Sequence, residues 1–576
     1  MNVNYGIAPE SYKLIWGNKE KVNPTIIGEM PKEIKLVSGK NDTACFQLVI
    51  TADEKYSLSV SKSPWFSQEE KRKNLRVNAV MPFETDMFHI GMHLCEDAYM
   101  RADSLQTKSV VEADGDKALS VFCEMKIPSD AEKGSYVGKL QIFENHRFGK
   151  EELVGEVTVN LQVFDYVFPE NKDNGFHLDL WQHPSNIARQ YEVELWSDEH
   201  FEILEKYCKS LGEVGVKSVS AIVSEVAWNG QGCQNEERFE ANLFEYSMIP
   251  VVRKADGTIE CDYSIMQRYI DLCAKYNVLE CISVFGLVNV WVRKDHEEDH
   301  TAPDYPDGIH IRVYDEKMGA YDYLRTAKEL DTYIKMLENY FITTGQIDRV
   351  RIAADEPADI DKYRASLEHI KSVAPSFKYK TAINHAEFVN EFGKDIYDFA
   401  PYISAMFSEY EALMKFKAEM PDKRFIYYVC CGPDLPNNFL RSELVESYYI
   451  GILAAYAKMD GFLRWNYTVW TDNPREDLRY SIFPVGDLHF VYPGYNGNPI
   501  LSLRLKALNR GIKYFVLFRE AEKRGLNEAV QKAYDLVLRE KEIAKLYANW
   551  EIEKVMSLSA DDYREAESIL LAALGG

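Results

Sequence analysis

The apolar pattern of this chain changes its period near Pro169, and that change constrains the fold more than any other feature. Before it, short runs alternate in hydrophobicity: Ala44-Cys45-Phe46-Gln47-Leu48-Val49-Ile50, Ala118 to Ile127, Tyr136 to Phe143 and Glu156 to Phe164. Turn signals such as Ser129-Asp130 and Lys133-Gly134 separate them. Period two sends alternate side chains to opposite faces of a strand. Several such runs between turns predict a β-sandwich. Residues 1–170 are therefore expected to form an accessory β-sandwich domain, and they carry no catalytic constellation.

After Pro169 the pattern becomes strand, helix, strand, helix. Predicted strands are Phe176–Trp181, Ser218–Ser224, Cys281–Gly286, Arg349–Ala354, Lys378–Ile383, Ile403–Phe407, Phe425–Cys431 and Phe462–Tyr467. Predicted helices include Asp198–Leu211, Tyr263–Tyr276, Tyr321–Phe341, Ile360–Ser372 and Arg441–Lys458. About eight strands alternating with helices predict a (β/α)8 TIM-like barrel over residues 171–515. An open doubly wound sheet is the alternative, but no Gly-rich phosphate loop follows the first strand. Residues 516–576 are expected to form a helical C-terminal extension, with Ser559–Leu574 amphipathic. A chain of 576 residues exceeds what one core supports, which agrees with a multidomain protein. The long segment from Glu225 to Asp262, which includes Trp228-Asn229-Gly230, is expected to wall the active site.

Charge and cysteine usage exclude several classes. A formal net charge of -24 argues against nucleic-acid or anionic-membrane partners, which need Lys and Arg stripes. No apolar run is long enough to span a bilayer. Met1 to Tyr12 lacks a basic segment followed by an apolar one, so a cytoplasmic location is expected. Several of the ten cysteines (Cys45, Cys123, Cys281, Cys430, Cys431) lie in apolar runs and predict buried free thiols. No CxxC or HExxH spacing suggests zinc.

The candidate chemistry lies in Arg349-Val350-Arg351-Ile352-Ala353-Ala354-Asp355-Glu356-Pro357. An apolar strand ends in two carboxylates, and catalytic residues of a barrel sit at the C-terminal ends of its strands. Two close carboxylates oppose each other's ionisation. That suits glycoside cleavage, where one group donates a proton and another stays anionic. The competing reading has Asp355 capping the next helix and Glu356 facing solvent; the dipeptide alone favours neither.

A second candidate is Gly461 to Gly494, where aromatic and polar residues crowd one strand end and its loop. A sugar pocket needs rings for stacking and polar groups for hydroxyls. Trp465 and Tyr467 are expected to line it and Asp487 to bond a hydroxyl, with Tyr428 and Asn384 as further candidates. On the first strand His177, Asp179, Trp181 and His183 share a face at period two. Trp181 and His183, nearest its C-terminal end, are expected to touch ligand, and the others to form a polar floor.

The spaced pattern Phe462-Leu463-Arg464-Trp465, Tyr467, Trp470, Asn473-Pro474, Gly486-Asp487, Val491-Tyr492-Pro493-Gly494, Ser502-Leu503-Arg504 and Arg510-Gly511-Ile512 resembles the C-terminal signature of glycoside hydrolase family 123 and its broader relatives (domain of unknown function 4091). Asp355-Glu356 matches that family's catalytic Asp-Glu pair, and Trp181-Gln182-His183-Pro184 resembles its first barrel strand. The resemblance implies a retaining exo-β-N-acetylhexosaminidase, N-acetylgalactosamine-preferring; no metal or cofactor is expected. It implies substrate-assisted catalysis: Asp355 orients the 2-acetamido group and Glu356 is the acid/base. The chain departs from the pattern at Pro357, Thr468-Val469 and Lys513-Tyr514-Phe515. A glycosidase of other specificity and a catalytically silent carbohydrate-binding protein are the alternatives on the same scaffold.

Overall fold

The computed structural model describes residues 2–17, 24–61, 73–115, 117–145, 150–225, 244–288, 301–480, 483–546 and 551–575. Trp228, Asn229 and Gly230 lie outside them.

The N-terminal part consists of two six-stranded sheets. Phe46, Leu48, Ile50 and Val121 of one sheet share an apolar core with Leu75, Val77, Leu140 and Val157 of the other. Strand Asp42–Ala52 is buried on both faces, and period two explains how. Its even-numbered apolar residues enter this core, while Cys45 and Val49 join the larger core that continues into the rest of the molecule.

Eight parallel strands then form one sheet, named here β1 (His177–Leu180), β2 (Ser218–Ile222), β3 (Cys281–Phe285), β4 (Val350–Asp355), β5 (Lys378–Ile383), β6 (Ile396–Pro401), β7 (Arg424–Tyr428) and β8 (Gly461–Arg464). Neighbours in sequence are neighbours in space, and β8 returns to pair with β1. A single parallel bridge, Leu178 to Val216, links β1 towards β2. The result is a nearly closed parallel barrel with helices between its strands. The connections after β2 and β3 contribute Val251–Arg253, Ile259–Cys261, Arg312–Asp315 and Ala320–Tyr323 to a separate four-stranded sheet.

Polar pairs occupy the barrel interior. The Lys380 ammonium donates to Asp179 and, at 3.0 Å, to Ser283. Asp398 accepts from Arg351 at 3.2 Å and from Arg424 at 2.8 Å. Buried charges persist when paired and hydrogen-bonded in this way. The pairing also explains a misread element: Ile403–Phe407 is not the sixth strand but part of a short helix, Ile403–Ser408. The true strand, β6, carries Asp398 in mid-run, so its pattern reads as polar although the side chain is fully buried. The predicted helix Tyr321–Phe341 likewise starts later, at Ala327, where the Thr326 side chain accepts from the Glu329 N–H. Cys45, Cys123 and Cys281 are buried as expected, but Cys430 is only partly buried and Cys431 is exposed. Among the described residues no helix is long and apolar enough to cross a membrane.

The signature segment beyond β8 locks the molecule together. Helices Leu444–Tyr456 and Leu503–Lys523 cross where Gly451 meets Gly511. A Cβ on Gly451 would lie 1.9 Å from the Gly511 carbonyl oxygen, so only glycine permits this approach. Arg504 donates to Asp103 at 3.0 Å, and Arg510 to Glu10 at 2.9 Å. Both bonds tie the second helix to the N-terminal sheets.

Candidate active site

Strand β4 places both carboxylates. Asp355 is its last residue, paired with Ala382 of β5, and the Glu356 N–H donates to the Ala382 carbonyl at 3.0 Å. Successive strand residues would normally face opposite sides. Glu356 breaks the alternation with a left-handed backbone, φ +45°, a conformation that costs a non-glycine residue about 1–3 kcal/mol and clusters at functional sites. Both side chains therefore line one open cavity. The helix that follows is capped by Asp359, whose side chain accepts from the N–H groups of Asp361 and Lys362. Asp355 does not serve that purpose.

Glu356 is held from two directions. The Tyr428 hydroxyl, from the end of β7, donates to Oε1 at 2.5 Å. The Asn384 amide, just after β5, donates to Oε2 at 3.3 Å. Burial raises the Glu356 pKa above the ordinary carboxylate value, while the Tyr428 hydrogen bond and nearby His385 pull it down. A carboxyl so raised retains its proton at higher pH, as a general acid must. Tyr428→Phe removes one of the lowering influences. The alkaline limb of kcat/KM is therefore expected to move to higher pH in that variant, measured as a full pH–rate profile. A limb that stays in place or moves down would contradict the assignment of Glu356 as the acid.

The walls are aromatic and sulfur-bearing. Trp181 at the end of β1, Trp465 at the end of β8 and Phe483 beyond it line the cavity with Tyr428, Cys430 and Cys431. Trp181 packs edge-on against Phe285 at 4.9 Å between ring centroids, and Trp465 lies 5.7 Å from Phe483. Packing against these neighbours fixes the orientation of both indoles.

Three residues expected at the pocket stand behind it. His183 is buried, precedes the helix Pro184–Tyr191, and presents its ring edge-on to Trp465. Burial, and secondarily Arg189, lowers its pKa to about 3, so it is neutral. Tyr467 turns into the core, where its hydroxyl donates to Ser210 at 2.8 Å. Asp487 is fully buried against Arg464 at 2.7 Å. Burial pushes its pKa up to about 6, against the pull of Arg464 and the Trp465 indole. Arg464 also donates to Asn437 at 2.9 Å and to the Cys430 carbonyl at 3.1 Å, which fixes the ends of β7 and β8 to each other. These residues support the wall from behind. Asp487 drew notice because a buried charge pair and an exposed polar site read alike in sequence.

Sequence reasoning did not single out Cys430, Cys431, Phe483 and His385 for the site. The available signal for the two cysteines was their place just beyond the C-terminal end of β7, the same end of the barrel as Asp355 and Glu356. Among the described residues, no group of three or more His, Cys, Asp or Glu side chains is arranged to hold a metal ion.

The family model "Glycoside hydrolase 123, catalytic domain" matches residues 181–521. A family 123 glycoside hydrolase from Clostridium perfringens, solved to examine glycolipid glycan hydrolysis, superposes with a TM-score of 0.76 at 18% identity, covering 100% of this chain and 97% of its own. A putative glycoside hydrolase from Bacteroides vulgatus covers 85% of this chain and 78% of its own at 10% identity, with a TM-score of 0.33. No curated protein matches the chain in sequence.

Proposed function

The chain belongs to glycoside hydrolase family 123, and from that premise we propose that it is a retaining exo-β-N-acetylhexosaminidase, preferring N-acetylgalactosamine, that uses its substrate's own nucleophile. One observation carries the reading. Among the described residues lining the cavity, the only carboxylates are Asp355 and Glu356, neighbours at one strand end. An enzyme-borne nucleophile needs two carboxyl groups flanking the scissile bond from opposite sides, about 5–5.5 Å apart. Two adjacent residues on a single strand end approach the sugar from one side. The attacking group on the other face is then the 2-acetamido oxygen.

The chemistry follows from the environments. Glu356, with its raised pKa, gives its proton to the leaving oxygen as the glycosidic bond breaks. The acetamido carbonyl oxygen bonds to the anomeric carbon, forming an oxazolinium ion. Asp355 accepts a hydrogen bond from the acetamido N–H and offsets the positive charge that develops there. Water then attacks the anomeric carbon, Glu356 takes its proton, and the acetamido group is released with net retention. Trp465 and Trp181 supply the stacking faces, and Asn384 and Tyr428 hold Glu356 in position.

A panel of aryl β-glycosides, with and without a 2-acetamido group, tests this reading. Turnover is expected for the β-N-acetylgalactosaminide, less for the β-N-acetylglucosaminide and none for the plain β-galactoside. Preferential cleavage of the plain sugars would contradict it.

A further inference from the structure

Two cysteines stand side by side at the catalytic end of the barrel. Cys430 and Cys431 follow β7 directly after Tyr428 and Val429, and both line the cavity that holds Asp355 and Glu356. Their sulfurs are 3.9 Å apart, close enough for one thiol to donate to the other. Cys431 is exposed and Cys430 partly so. The backbone beneath is anchored, because the Cys430 carbonyl accepts from Arg464 at 3.1 Å and from Asn437 at 3.0 Å. The acid/base mechanism gives neither sulfur a task. Cys208 and Cys273 also face each other, at 3.5 Å, but both are buried away from solvent.

We propose that Cys430–Cys431 is a dithiol modification site in the wall of the active-site cavity, taken by soft electrophiles that bond two sulfurs at once, such as trivalent organoarsenicals. With an arsenoxide the step is a condensation. Two As–S bonds form, two S–H bonds and the As=O bond break, and both protons leave with the oxygen as one water. Arsenic stays trivalent, so no oxidant or reductant is needed. Once the first sulfur is bonded, the second is on the adjacent residue, and the ring closes at high effective concentration. The hydrogen bond between the thiols lowers the Cys431 pKa and raises that of Cys430, so Cys431 supplies the first thiolate. An aryl group carried on the arsenic would occupy the space a glycoside needs to reach Glu356. Inhibition rests on the enzymatic reading above; the adduct itself does not.

Phenylarsine oxide on the reduced protein tests the site, followed by intact mass and by turnover. One phenylarsenic group per chain is expected, with one water lost and at least a tenfold loss of activity. Excess 2,3-dimercaptopropanol should reverse both, and 2-mercaptoethanol at equal thiol concentration should not. Cys430→Ser and Cys431→Ser should each remove the bridged adduct and keep the activity of their own untreated samples. A bridged adduct that survives in both variants, or no adduct on the wild type, would overturn the site. An adduct on the pair with turnover undiminished would overturn the occlusion. A chain that cleaves no glycoside, yet loses its adduct in both variants, keeps the dithiol site and contradicts the enzymatic reading alone.

Discussion

Glu356→Gln is expected to lose about 10²–10⁴-fold in kcat/KM on a glycoside with a poor leaving group, the range for removing a positioned general acid. The loss should be much smaller on an activated aryl glycoside. A phenolate of low pKa departs without a proton, whereas an alkoxide does not. The amide matches the carboxyl in shape and can still accept from Tyr428, which reaches Oε1 at 2.5 Å, while its NH2 group gives up the bond that Oε2 accepts from Asn384. Equal losses on both substrates would remove Glu356 from the role of acid and point to a purely structural contribution. The comparison is therefore between leaving groups, read from the same enzyme preparation.

Asp355→Asn should behave differently. In the proposed mechanism its charge faces the acetamido group, and the oxazolinium ion forms whatever the leaving group. A loss of about 10²–10³-fold is expected on both substrates, by analogy with removing one pre-organised electrostatic contact from a transition state. Asp355 is the last paired residue of β4 and only 9% exposed, and Asn preserves its volume. Circular dichroism and thermal melts of the variant separate a folding defect from a catalytic one. If Asp355→Asn spared the activated substrate while Glu356→Gln did not, Asp355 would have no part in forming the intermediate.

The period change near Pro169 was enough to read strand runs before it and strand–helix alternation after it. Seven of the eight predicted barrel strands overlap observed ones, because buried parallel strands read as short apolar runs. The sixth failed because Asp398 interrupts it, and its compensation by Arg351 and Arg424 comes from other strands. The same limit applied at the site. The dipeptide Asp355-Glu356 was legible as a strand end carrying two carboxylates. What lets both side chains reach one cavity is the left-handed backbone of Glu356, which the residue type does not announce. Trp465 and Tyr467 differ by two positions and should share a face, yet the chain leaves β8 at Arg464 and Tyr467 turns inward to Ser210. Alternation holds only while the strand does.

Substrate assistance makes the nucleophile part of the substrate, so changing the substrate tests it more directly than changing the enzyme. Aryl β-N-acetylgalactosaminides carrying zero, one, two or three fluorines on the acetyl methyl group differ little in size, while each fluorine withdraws electrons from the attacking carbonyl oxygen. The account predicts that kcat/KM of the wild type falls steadily and steeply along this series. A rate that does not respond to fluorination, or a plain β-galactoside cleaved as fast as the unfluorinated member, would contradict it.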